Sequence, residues 1–164
     1  TNVLIVSDYN NYSFIDFLKK NNFQIGVNGG ADIFSVKLLS TANEFFINGH
    51  PGILPDYRGL DPVLWSLIEN GPLGATLHKI DQDVDSGIIF KKIITKKTFF
   101  HDIIDLRIYC INLCAKLVVE YLKNEIHVKP KIPILADYQV RGKFNMDDYG
   151  IAINKFKKRF KTKI

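Results

Sequence analysis

Short apolar runs alternate with helix-like segments over the first fifty residues of this 164-residue chain. The apolar runs predicted to be strands cover residues 3–6, 25–27 and 44–48. The predicted helices between them cover residues 13–20 and 35–39. This alternation predicts an α/β fold with a mostly parallel sheet flanked by helices. Ligands of such sheets bind beyond the carboxyl ends of the strands, where Asn48 and His50 lie.

The remainder of the chain continues the pattern and then changes character. Further strands are predicted at residues 75–80, 88–94 and 137–144, and further helices at 62–70, 100–123 and 147–160. On the longest helix, the broad apolar face expected to cover the sheet comprises Ile103, Ile104, Ile108, Ile111, Ala115, Val118 and Leu122. We divide the chain into a main domain, residues 1–126, and a linker with a small C-terminal appendage, residues 127–164.

Composition indicates an ordinary globular protein. The chain is 46% hydrophobic and 24% charged, and no apolar stretch is long enough to span a bilayer. No signal peptide opens the sequence. Cys110 and Cys114 lie four residues apart in a helical pattern without a partnering zinc-type histidine set. We interpret them as core thiols in a reducing cytoplasm and predict no metal site and no membrane association.

The net charge of +5 is concentrated near the end of the chain. Residues 155–163 contain six lysines and arginines. Such a run is either a patch for phosphates or nucleic acid, or the solvated face of a terminal helix. The second interpretation is the more common one, and a nucleic-acid partner is not expected.

Three side chains are placed to do chemistry together. Asn48 and His50 are two residues apart at a strand end, so their side chains point to the same side. Asp85 lies on an acidic loop between two predicted strands. An amide can stabilise an oxyanion, an imidazole can move protons, and a carboxylate can set the imidazole's protonation state. No serine or cysteine is placed beside His50, which favours direct transfer of an acyl-type carbon.

Each of these features also has a plainer interpretation. A single histidine after a strand is usually structural, and an acidic loop is usually a solvated turn. Asp81, Asp83 and Asp85 alternate like calcium ligands. The loop nevertheless lacks the glycine at its sixth position and the glutamate at its twelfth that an EF-hand requires.

Taken together, these segments resemble the N10-formyltetrahydrofolate-dependent formyltransferases. The matching motifs are Asn48-Gly49-His50-Pro51, Leu54-Pro55, Arg58-Gly59, Gly74-Ala75-Thr76-Leu77-His78 and Asp85-Ser86-Gly87. The resemblance extends over residues 24–123 and implies a Rossmann-like formyltransferase domain. It departs from the family pattern at Gly52, where a serine is usual. The family also carries a further strand–helix unit ahead of the region that starts at Val3, so this chain is either a fragment or unusually short at its N-terminus.

The resemblance implies a role for each residue. Asn48 would hold the formyl oxygen, His50 would be the acid/base, and Asp85 would set the protonation state of His50. His78 would lie next to Asp85 without touching the substrate, unless it is a buried structural histidine. The formyl donor, N10-formyltetrahydrofolate, would be bound by main-chain groups of two loops, formed by Gly29, Gly30, Ala31, Asp32 and Ile33 and by Ile80, Asp81, Gln82, Asp83 and Val84.

The acceptor amine is the least constrained part of the prediction. The segment from Arg58 to Trp65 looks most like the sugar N-formyltransferase branch, although Trp65 is equally explained by core packing. The tail after Leu122 is too short for the C-terminal barrel of the enzymes that act on initiator tRNA. We therefore expect a nucleoside-diphosphate amino sugar as the acceptor and a homodimer formed through the appendage. Phosphoribosylglycinamide formylation, a formate-releasing hydrolase and a non-catalytic folate- or nucleotide-binding relative are the alternatives.

Overall fold

The computed structural model describes residues 5–124 and 138–160. The helices are α1 (Tyr12–Asn21), α2 (Val36–Leu39), α3 (Pro62–Ile68), α4 (Ile103–Leu122) and α5 (Met146–Phe160). The strands are β1 (Ile25–Asn28), β2 (Phe45–His50), β3 (Arg58–Gly59), β4 (Gly74–Lys79), β5 (Ile89–Ile94) and β6 (Val140–Arg141). Val3 and Leu4 of the first predicted strand, and the linker over 127–137, lie outside the described residues, while Ile5 and Val6 are not in a strand.

The strands form a four-stranded sheet of order β1-β2-β4-β5 and a two-stranded sheet of β3 and β6. The α/β fold class is confirmed, but the larger sheet is mixed. β1 pairs with β2 in parallel, whereas the β2–β4 and β4–β5 pairs are antiparallel. β4 and β5 are joined by a loop without a crossover helix, and a connection of this kind returns the chain antiparallel.

Helices cover both faces of the larger sheet because the side chains of β2 alternate. Phe46 packs with Ile15 of α1 and Leu38 of α2 on one face. Ile47 packs with Leu117 of α4 on the other. A β-carbon on Gly49 would lie 2.7 Å from Cβ of Cys114, so glycine lets α4 lie directly on β2.

Side-chain caps set the ends of two helices. The Asn11 side chain accepts from the Phe14 N–H at the start of α1, and Asn22 ends that helix in a left-handed conformation. The long helix was predicted from residue 100 but begins at Ile103, because the Asp102 carboxylate accepts from the N–H groups of Ile104 and Asp105. Among the described residues, no helix is both long enough and apolar enough to cross a membrane.

The buried face of α4 differs from the predicted one. Its buried residues are Ile103, Leu106, Cys110, Leu113, Cys114 and Leu117. Of the predicted set only Ile103 is buried, while Ile104, Ile108, Ile111 and Leu122 are more than half exposed. α4 is apolar around most of its circumference, so periodicity alone does not identify the face that packs. The prediction for the cysteines holds better, because both are free and buried.

The C-terminal appendage packs into the main core. Phe156 and Phe160 of α5 share a buried cluster with Leu64 and Leu67 of α3 and with Phe100. The β6 region is fastened to α3 as well. The Trp65 Nε1–H donates to the Gly142 carbonyl at 3.1 Å, and the Trp65 ring meets Phe144 edge to face at 4.7 Å. In the described part of the chain, Trp65 therefore serves to dock the appendage.

Replacing Phe156 with alanine tests this integration. Phe156 is 4% exposed, so the Phe156→Ala variant should lower the free energy of unfolding by about 3–5 kcal/mol through lost burial and a residual cavity. Chemical denaturation followed by circular dichroism measures the change. The neighbouring Lys157→Ala variant is the control and should stay within about 0.5 kcal/mol of the parent. An equally small effect of Phe156→Ala would show that α5 contributes little to the core.

Candidate active site

Asn48 and His78 face each other on neighbouring strands. The antiparallel register of β2 and β4 pairs them directly, which brings their side chains together on one face. Asn48 Nδ2 lies 3.3 Å from His78 Nε2. The His78 Nδ1–H donates to the Lys79 carbonyl at 2.8 Å, since a carbonyl can only accept. His78 Nε2 is therefore the acceptor for one Asn48 N–H, and this bond orients the amide.

His78 is neutral near pH 7. Burial is the main cause that lowers the pKa of His78 to about 4; the Asp85 carboxylate opposes this shift only in part, and the nearby His50 adds to it. The side chain is 2% exposed. A neutral ring with its proton on Nδ1 keeps a lone pair on Nε2, which accepts the hydrogen bond from the Asn48 N–H.

His50 is held through both ring nitrogens. Its Nε2–H donates to the Tyr57 carbonyl at 2.6 Å, and its Nδ1 lies 3.4 Å from Asp85 Oδ2. Both Nδ1 and Oδ2 carry lone pairs, so this second contact is attractive only when a proton lies between them. The pair can therefore store one proton and release it at Nδ1.

The Asp85 carboxylate lies against groups from three different parts of the chain. Besides His50, its Oδ2 accepts the Gly59 N–H at 2.9 Å, and its Oδ1 lies 3.5 Å from His78 Nε2. The side chain is 13% exposed. Its φ of 47° is left-handed, a conformation uncommon for residues other than glycine and often found at functional sites. The structure thus brings together Asn48, His50, Asp85 and His78 as the sequence predicted.

Arg58 has a structural role that its place in the Arg58-Gly59 motif does not reveal. Arg58 is 3% exposed, and its Nε and Nη2 both donate to the Val84 carbonyl, at 2.9 and 2.7 Å. Its Nη1 donates to the Tyr138 carbonyl at 3.1 Å. Arg58 therefore fixes the backbone next to Asp85, while Gly59 fixes the carboxylate. In the sequence, the pairing of Arg58 with Gly59 in the motif is the signal that could have indicated this role.

The two loops predicted to bind the donor are partly occupied by contacts within the chain. The Asn28 side chain accepts from the N–H groups of Gly30 and Ala31, at 2.9 and 2.8 Å. The Val84 carbonyl receives Arg58. The parallel register places Asn28 beside Asn48, so the loop that follows β1 begins next to the site. Donor contacts by these loops stay a prediction.

A family comparison adds to this geometry. Residues 25–98 match the model of the formyl transferase family. This part of the chain is a formyl transferase domain. The match begins at the first residue of β1 and ends after β5, so it includes Asn48, His50, His78 and Asp85. The family resemblance drawn from the motifs is confirmed.

Individual relatives belong to more than one branch. The chain is 32% identical over 122 residues to the methionyl-tRNA formyltransferase of Caldicellulosiruptor saccharolyticus, across 73% of this chain and 39% of the relative. It is 35% identical over 54 residues to the GDP-perosamine N-formyltransferase of Brucella melitensis, across 32% of this chain and 21% of the relative. The chain thus spans well under half the length of either protein.

A solved structure matches over a similar length. The formyltransferase PseJ from Anoxybacillus kamchatkensis, in complex with UDP-4,6-dideoxy-4-formamido-L-AltNAc and tetrahydrofolate, has a TM-score of 0.59 and 25% identity. The alignment covers 73% of this chain and 64% of that one. This likeness confirms the Rossmann-like formyltransferase fold.

The lowered pKa of His78 predicts how stability depends on pH. The pKa of His78 is about 4 in the folded protein, whereas its ordinary value, which applies to the unfolded chain, is 6.5. The unfolded state therefore takes up more protons between these values, and the free energy of unfolding falls as pH drops from 6.5 to 4. Denaturation at several pH values should show a shallower fall for His78→Gln.

The exposed His101 provides the matched control for this measurement. His101→Gln removes an imidazole of the same type from a solvated position, so its pH slope should match that of the parent. Equal slopes for all three proteins would show that His78 titrates normally.

Proposed function

We propose that this protein transfers a formyl group from N10-formyltetrahydrofolate to the amine of a nucleotide-linked amino sugar. The observation that carries the proposal is the meeting of Asn48, His50 and Asp85 inside a formyl transferase domain. The amide, imidazole and carboxylate supply the functions that acyl transfer to an amine requires. The sugar acceptor is supported by the PseJ complex and by the GDP-perosamine relative.

The amide and the imidazole divide the chemistry between them. As the amine nitrogen attacks the formyl carbon, the carbonyl oxygen becomes an oxyanion. One Asn48 N–H is used by His78, so the second can donate to that oxyanion. His50 Nδ1 accepts the proton lost by the amine, or first supplies the proton it shares with Asp85.

The proton balance closes over one turnover. The bond from the formyl carbon to N10 breaks, and N10 gains one proton while the amine loses one. The His50–Asp85 pair therefore returns to its starting state and needs no other reactant. His78 stays neutral throughout and acts by holding Asn48.

Donor recognition falls to the loops after β1 and β4. A pterin ring presents a row of donors and acceptors that main-chain N–H and C=O groups can match. Gly30, Ala31 and Val84 already use some of theirs within the chain. Ile33, Ile80, Gln82 and Asp83 each use one main-chain group in the same way. Within the described residues, the main-chain groups of Gly29, Asp32 and Asp81 have no such partner and are therefore the better candidates for contact with the donor.

An acceptor panel tests the proposal. Intact chain would be incubated with N10-formyltetrahydrofolate and, separately, a UDP-linked amino sugar, a GDP-linked amino sugar, glycinamide ribonucleotide and methionyl-tRNA. We expect formylation of an amino sugar and lower turnover by at least about a hundredfold in His50→Ala and Asp85→Ala. Near-normal turnover in either variant would overturn its assigned role. Formylation confined to another acceptor would replace the sugar, and formate release alone would indicate a hydrolase.

Arg58 should affect the reaction only by fixing the position of Asp85. A lysine in its place keeps the charge but cannot make two bonds to Val84 and a third to Tyr138. Arg58→Lys should lower kcat by about 10- to 100-fold with little change in either KM, because misplacing a reacting group slows the chemical step. The pH profile of kcat should also shift.

Arg159 supplies the control for this substitution. It too donates to a main-chain carbonyl, that of Gly71 at 2.7 Å, but it belongs to α5 and lies outside the site. Arg159→Lys should leave kcat and its pH profile unchanged. If both variants behaved alike, the effect of Arg58 would be one of general stability.

A further inference from the structure

A small cavity opens beside His50. Its volume is about 240 Å³, and its walls include His50, Leu60, Asp61, Arg107 and Ile111. Binding sites for whole drug-sized ligands usually measure about 300–1,000 Å³. This cavity is therefore sized for one ring, and a ring bound there would lie against His50.

Arg107 brings hydrogen-bond donors to this cavity. Its side chain is 42% exposed, and its Nη2 donates to Asp61 Oδ1 at 3.2 Å. A guanidinium has five N–H donors in a fixed fork. Within residues 5–124 and 138–160, this is the hydrogen bond that Arg107 makes, so most of its donors are left for a ligand.

Asp61 holds Arg107 in place and is itself held from the other side. Its Oδ2 accepts the Phe144 N–H at 3.2 Å, and its backbone is left-handed with a φ of 50°. Asp61 precedes α3, yet its side chain does not cap that helix. Both carboxylate oxygens are thus occupied, which makes Asp61 a support for the arginine and leaves Arg107 as the group that meets the ligand.

The other walls are apolar and open. Leu60 is 58% exposed and Ile111 is 56% exposed, although both border the cavity. A sugar ring has apolar C–H faces and a rim of oxygen atoms. Apolar side chains beside an anchored arginine suit both parts of such a ring.

We infer that Arg107, anchored by Asp61, binds an oxygen-bearing group of the acceptor in the cavity beside His50. The inference rests on the proposed function and names the residue that reads the acceptor. The oxygen belongs either to a ring hydroxyl or to the first phosphate of the nucleotide. Both accept hydrogen bonds from a guanidinium in the same way.

The test compares Arg107→Met with the parent in steady-state kinetics, using UDP-4-amino-4,6-dideoxy-L-AltNAc as the acceptor. We expect the acceptor KM to rise roughly 10- to 100-fold, the usual scale for losing hydrogen bonds to a charged group. The KM for N10-formyltetrahydrofolate should not change, and kcat should change little, because the lost contact is made before the chemical step. Arg107→Lys should fall between the two proteins.

Lys116→Met is the control, because it removes a cation from the same helix at an exposed position paired with Glu120. Its kinetics should match those of the parent. Calorimetric binding of the same UDP-sugar and of UDP alone separates the two oxygen sources. A weaker affinity of Arg107→Met for both ligands indicates the phosphate, and a weaker affinity for the sugar alone indicates the hydroxyl.

The two hypotheses fail in different ways. Turnover with an unchanged acceptor KM in Arg107→Met would overturn the role of Arg107 and leave formyl transfer standing. Arg107-dependent binding without turnover would overturn the proposed function and support the subsite. Absence of both binding and turnover would overturn both.

Discussion

The carboxylate of Asp85 joins parts of the chain that are far apart in sequence. It contacts His50 at the end of β2, His78 on β4 and the main chain of Gly59. A partly buried carboxylate is costly unless several donors surround it. The Gly59 N–H is one such donor, and a proton on His50 Nδ1 supplies a second, so the need to satisfy one charge brings β3 and His50 to the same point. The left-handed backbone of Asp85 is a cost that these contacts offset.

The C-terminal appendage supports the same site at a distance. β6 pairs with β3, and Arg58 of β3 bridges the Val84 carbonyl beside Asp85 and the Tyr138 carbonyl beside β6. A second connection runs through Asp61, which accepts from Phe144 and holds Arg107 at the cavity. The appendage, the loop that carries Asp85 and the cavity beside His50 are therefore linked by hydrogen bonds to buried or half-buried side chains.

Local signals in the sequence were enough to predict most helices and strands and the residues that meet around Asp85. The apolar periodicity and the spacing of Asn48 and His50 each depend on neighbouring residues, and the structure contains the elements and the strand end that they predict. The buried face of α4 could not be predicted, because Ile104 and Ile108 are as apolar as the residues that pack. The contacts of Arg58 and Asp61 were also missed. They join residues 26 to 83 positions apart and depend on main-chain atoms, which leave no trace in residue type.

Because α4 packs closely on β2, the reactivity of Cys114 reports motion of the helix relative to this strand. Gly49, which separates Asn48 from His50, has Cys114 as its nearest neighbour on α4. Burial raises the pKa of the Cys114 thiol to about 12, so it remains protonated and inert while the helix is in place. Any fluctuation that lifts α4 would hydrate the sulfur and let an alkylating reagent reach it. The rate of that labelling would report how often α4 separates from β2, the strand that carries Asn48 and His50.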